Sequence, residues 1–145
     1  MGYEMARIVY TRPDGGLSYV VPVGRSLEEV LDQDVPSDAT DVHVVDDSTI
    51  PHDVTFYDAW RNDKGRIVVD MLKARNILRD RIRAARAPML QALDIEYQKA
   101  DERGDDEARR SIAARKQALR DAPADPSIEM ATTTDALKAL WPPSE

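Results

Sequence analysis

Residues 70–104 read DMLKARNILRDRIRAARAPMLQALDIEYQKADERG. Their apolar members fall at Met71, Ala74, Leu78, Ile82, Ala85, Met89, Leu93, Tyr97 and Ala100. The mean step between them is about 3.6 residues, the period of an amphipathic helix. Asp70 is suited to cap the N-terminus, and Gly104 supplies the left-handed conformation that ends helices. Pro88 lacks an amide hydrogen and crowds the preceding turn, so a kink or short break is expected near Ala87. Downstream, Asp105 or Asp106 can cap a second helix reaching about Asp121, with Ala108, Ile112, Arg115 and Leu119 at helical spacing. The tight Gly-Asp-Asp turn makes the two helices an antiparallel hairpin. Ala122 to Pro126 reads as a linker. Thr134 to Trp141 reads as a last short helix, ended by Pro142 and Pro143.

Upstream of the hairpin the pattern changes to short strands. Arg7 to Thr11 is compact and rich in β-branched residues, and Leu17 to Val21 returns after the turn Pro13-Asp14-Gly15-Gly16. Ser26 and Glu29 form a capping-box pattern that opens a helix ending near Gln33. Val42 to Val45 and Arg66 to Val69 are further strands. The aromatic cluster Phe56, Tyr57 and Trp60 is expected in a short helical turn that plugs the sheet, with residues 62–65 as a turn. The expected fold is therefore α+β. A small antiparallel β-rich domain spans 1–69, the α-helical hairpin 70–121, and a linker with a short docking helix 122–145.

Composition narrows the function. The chain has 145 residues and a net charge of −7, enough for one ordinary domain or two small ones. It has no Cys, which removes disulfides, thiolate metal sites and cysteine nucleophiles. Two His are too few for a His-rich metal centre. Residues 1–72 carry 14 acidic and 6 basic side chains, whereas residues 73–145 carry 13 and 14. The acidity thus belongs to the strand-rich half, and the boundary coincides with the change of hydrophobic period.

Several clusters were weighed for chemistry. His43, Asp46, Asp47, His52 and Asp53 match no closed zinc spacing and no EF-hand loop, and they suit ordinary turns. Gly15-Gly16 lacks the lysine and following helix of a phosphate loop. No serine sits in a nucleophile-elbow context. The expectation is no enzyme activity, no metal and no cofactor. Lys73, Arg75, Arg79, Arg81, Arg83 and Arg86 form an arginine-rich face that suits acidic protein surfaces or, as an alternative, nucleic acid. That helix lacks the stacking aromatics of single-strand binders. Leu137, Leu140 and Trp141 lie on a helix too short to stand alone, so it must dock on its own chain or on a neighbour.

Two stretches carry a resemblance. One runs from Asp41-Val-His-Val-Val-Asp-Asp to Phe56-Tyr-Asp-Ala-Trp-Arg61. The other runs from Asp70-Met-Leu-Lys-Ala-Arg through Arg79-Asp-Arg-Ile-Arg to Asp94, and on to Arg115-Lys-Gln-Ala-Leu-Arg-Asp121. Together they resemble small proteins encoded beside tail and tail-fibre genes of bacteriophages and prophages. The last segment is also similar to the end of tail-fibre assembly proteins. The resemblance implies a structural protein of the tail tip or fibre-attachment region, acting by protein–protein docking and without catalytic residues. An assembly chaperone that does not stay in the virion is the near alternative. A small nucleic-acid-binding or regulatory protein is the alternative of another class. Candidate partner-binding residues are Arg79, Arg83, Arg86, Leu93, Tyr97, Leu137, Leu140 and Trp141. Expected partners are other tail or tail-fibre proteins, with self-association through the long apolar stripe. Met1 to Arg7 has no apolar core of signal-peptide type. No apolar run nears the roughly 20 residues of a membrane helix. The expected setting is the virion tail, after synthesis in the host bacterial cytoplasm.

Overall fold

The computed structural model describes residues 5–140. The chain divides into two compact units, Met1–Lys73 and Ala74–Glu145. The first is strand-rich and the second helical, so the fold is α+β.

In the first unit, strands β1 (Ala6–Thr11), β2 (Leu17–Val20) and β3 (Thr40–Asp46) form an antiparallel sheet in the order β2-β1-β3. Ile8 and Val9, consecutive on the central strand, are both fully buried. Successive strand residues point to opposite faces, so both faces of β1 are covered. That explains why Arg7 to Tyr10 reads as an unbroken apolar run rather than an alternation. Asp14 closes the β1–β2 turn by accepting from the Gly16 amide at 2.8 Å. This bond, then the Arg12 guanidinium, holds the Asp14 carboxyl below its ordinary range. Helix α1 (Leu27–Gln33) starts at Ser26, whose hydroxyl accepts from the Glu29 amide, and buries Val30.

The aromatic stretch departs from the sequence expectation. Only Tyr57–Ala59 forms a helical turn, of 3-10 type. Trp60 instead begins β4 (Trp60–Asp63), which pairs with β5 (Arg66–Val69) as a separate two-stranded sheet. The strand character of β4 comes from its partner, with Trp60 opposite Val69. Its own sequence, Trp-Arg-Asn-Asp, has no strand pattern. Lys64 and Gly65 join the strands with φ of 53° and 90°. Two positive φ angles in a two-residue loop are the type I′ geometry that matches strand twist. Asn62 Oδ1 accepts from the Gly65 amide at 2.8 Å. A side chain at Gly65 would stand 3.1 Å from His43 Cβ, so glycine is required twice over. Lysine is poorly suited to its positive φ. Lys64→Asn should stabilise the protein by about 0.5–1 kcal/mol, read as a higher urea midpoint.

The core of this unit is Val9, Leu17, Ile50 and Trp60, with Tyr19, Val45, Tyr57, Ile67 and Val69 packed around it. Tyr57 lies 5.0 Å from Trp60 and 6.4 Å from Tyr19, ring centre to ring centre. The expectation that the aromatic cluster is core therefore holds, although Trp60 reaches it from a strand.

In the second unit, helix α2 (Met71–Glu102) contains Pro88 yet runs without interruption, so the expected break is not there. The boundary between units falls in its first turn. Gly104, with φ of 67°, ends the turn after α2. Asp105 caps α3 (Asp106–Asp121) by accepting from the Ala108 amide at 3.0 Å. Leu93, Ala100, Ile112 and Leu119 form the seam of the hairpin.

Residues after α3 are more ordered than a linker. A 3-10 turn spans Ala122–Ala124, then α4 covers Pro126–Met130 and buries Ile128. Asp125 accepts from the Ser127 amide as its cap. Helix α5 (Thr134–Lys138) starts at Thr133 and buries Leu137.

Candidate protein-docking surface

The α2–α3 hairpin has two sides. Its seam is closed by Leu93, Ala100, Ile112 and Leu119. Beside that seam lies a groove of about 320 Å³, lined by Pro88, Met89, Ala92, Leu93, Glu96, Arg115 and Leu119. Its floor is apolar because Met89 and Leu93 are one helical turn apart and face α3. Small Ala92 and the ring of Pro88 leave space above them. At the rim, Arg115 and Glu96 approach to 3.7 Å. On the outer surface of α2, Ile95 is 55% exposed. Asp94 holds the Lys116 ammonium, which also sits 5.6 Å over the Tyr97 ring.

The arginine-rich face is largely engaged within the second unit. Arg75 Nη2 donates to the Ala131 carbonyl at 2.9 Å. Arg79 pairs with Glu129 and donates to Asn76 at 3.0 Å. Arg83 pairs with Asp80, one turn before it, at 2.8 Å. Arg86 donates to the carbonyls of Leu119 at 3.3 Å and Arg120 at 2.8 Å. Those carbonyls belong to the last turn of α3, where a cation satisfies orphan acceptors and the negative end of the dipole. Arg86→Met keeps the stem and removes the donors. It should cost about 1–2 kcal/mol, read in urea unfolding followed by far-UV circular dichroism.

Arg79 holds the Glu129 carboxyl below its ordinary range through its hydrogen bond, then through its charge. A carboxylate lowered in the folded state stabilises that state above its unfolded value, and the gain disappears as pH falls through the folded value. Stability should therefore drop as pH goes below about 4.3, and Glu129→Gln should flatten part of that drop. Urea midpoints at pH 7 and pH 3.5 would test it.

Of the residues singled out in the sequence, Leu93 lies in the groove and Tyr97 lies under Lys116. Arg79 and Arg86 face other parts of the same unit, and Arg83 is on the surface. Leu137 is fully buried and Leu140 half-buried, whereas Trp141 lies outside the described residues. Sequence reasoning missed Pro88, Met89, Ala92 and Arg115 as groove residues, and Ile95 as an exposed one. Ile95 falls off the apolar period of α2, which was a readable signal.

No family model, curated protein or solved structure matches the chain.

The remaining candidate cluster scatters. His43 Nε2 lies 2.7 Å from Asp41 Oδ1. Asp46 accepts from the Ser48 amide at 2.9 Å, and Asp47 pairs with Arg7 at 3.1 Å. Each is a local turn or ion-pair role. Among the described residues, no three His, Asp or Glu side chains converge as a metal site. No helix there is long and apolar enough to cross a membrane.

Proposed function

We propose that the protein is a non-enzymatic bacteriophage tail component of the tail tip or fibre-attachment region, acting by docking onto other tail proteins. The observation that carries the docking part is the apolar groove of the α2–α3 hairpin, with Met89 and Leu93 at its floor and the Glu96–Arg115 pair at its rim. An apolar floor with a polar rim is the usual anatomy of a protein contact. The tail assignment rests on the resemblance carried by residues 41–61, 70–94 and 115–121.

The arginine engagements favour this reading over nucleic acid. Guanidinium groups committed to Glu129, Ala131 and the end of α3 are costly to redirect toward phosphate. Self-association has a narrower basis than the apolar stripe suggested, since Ala74, Leu78 and Ile82 are already buried within the single chain.

A mass-spectrometric inventory of purified particles tests the assignment. Fixed stoichiometry in the particle supports a permanent component placed in the virion tail after cytoplasmic synthesis. Presence only in assembling cells would support the chaperone alternative. Salt-dependent retention on DNA would overturn the docking reading in favour of a nucleic-acid one. Light scattering of the purified chain reads out self-association.

A further inference from the structure

The β2-β1-β3 sheet has two outer edges, and they are treated differently. On β2, Arg12 Nη1 donates to the Leu17 carbonyl at 2.9 Å and to Ser18 Oγ at 3.0 Å. That strand has four residues, and Pro22 follows closely. Short length, a covering cation and a nearby proline are common protections of an edge.

The β3 edge lacks most of them. Among the described residues no strand pairs with its outer side. Its seven residues contain no Lys and no Pro. The pairing with β1 shifts between Val9 and Thr11, and Asp41 adopts φ of 52°, so a bulge ends the regular ladder there. Val42 to Asp46 remains as the open edge. Val42 and Val44 are 38% and 48% exposed. Strand alternation puts Asp46 on their face and His43 and Val45 on the other. Val45 packs into the core, so the face of Val42, Val44 and Asp46 is the free one.

A second copy of the chain is a poor occupant. Two-fold antiparallel pairing of β3 with itself, centred on Val44 or one half-step before it, sets Asp41 against Asp47 or Asp46 of the other copy. Like charges directly opposite are unfavourable. The charge pattern calls for the opposite sign. We propose that the β3 edge accepts an extended segment of a partner protein as an added antiparallel strand. That segment carries a Lys or Arg facing Asp46 and apolar residues facing Val44 and Val42. In chain order its motif is basic-x-apolar-x-apolar. Backbone hydrogen bonds supply attachment, and the alternate side chains supply selectivity. The proposal does not depend on the tail assignment.

The test uses the full chain, labelled with nitrogen-15 and titrated with the blocked peptide Lys-Thr-Val-Thr-Val-Thr. Amide shifts should concentrate at Val42 to Asp46 and their β1 neighbours. Replacing the peptide lysine by glutamate should weaken binding about threefold or more, and so should Asp46→Asn, which keeps an acceptor for the Ser48 amide. Val44→Lys should abolish binding while leaving the β1–β2 amide signals in place. Three results would overturn the proposal: equal affinity for the lysine and glutamate peptides, shifts centred on Met89 to Leu119 instead, or no shift at millimolar peptide.

Discussion

Trp60→Ala should lower the stability of the protein by about 3–5 kcal/mol, the largest loss expected from any single side chain here. Trp60 is 2% exposed and shares a core with Val9, Leu17 and Ile50. Its ring also contacts Tyr57, 5.0 Å away. Truncation removes the transfer energy of the indole and leaves a cavity that a rigid sheet cannot close. Domains of this size are stable by only about 4–10 kcal/mol, so the loss takes most of the margin. The effect should reach beyond β4, because the cavity borders β1 and β2. The check is urea unfolding followed by far-UV circular dichroism, beside amide dispersion for residues 6–69. An unchanged midpoint with full dispersion would mean that Trp60 does not anchor this core.

Pro88→Ala should act in the opposite direction, stabilising the protein by up to about 3 kcal/mol. Pro88 sits inside the uninterrupted α2 and cannot donate to the carbonyl one turn earlier. Its ring also crowds that carbonyl. Alanine restores the donor, relieves the clash and is the best helix former. Pro88 is exposed, so little packing is lost. Yet it lines the groove beside Met89 and Ala92. If the groove is the docking surface, Pro88→Ala should bind its partner more weakly while melting later, a trade of activity for stability. Thermal unfolding measures the first effect. Pull-down with a tail protein that binds the unaltered chain measures the second. A lower melting temperature would show that the helix uses the proline-induced geometry.

The helical half was the more legible. The repeat of Met71, Leu78, Met89 and Leu93 needs no distant partner to declare a helix, because period and caps are local properties. Asp105, Gly104 and Ser26 gave the ends of elements for the same reason. Strand β4 was not legible, since Trp-Arg-Asn-Asp becomes a strand only when Arg66–Val69 folds back beside it. Helix α4 was missed because five residues carry no period, although Asp125 followed by Pro126 was a readable start.

The candidate surfaces divide in the same way. Leu93 and Tyr97 could be picked out from helical spacing, and the basic character of residues 73–86 from composition. What those arginines do could not. Arg79 meets Glu129, and Arg86 meets the end of α3, across 50 and 34 residues of chain. Nor could the open edge of β3 be read from Val42 and Val44, since an edge is defined by which strand is missing beside it. By itself, the sequence determined fold class, helix positions and the split of charge, because each depends on neighbours within a few residues. Only the tertiary structure decided which charges are already paired, which apolar side chains remain exposed and which strand stands unpaired, because those depend on contacts between segments distant in the chain.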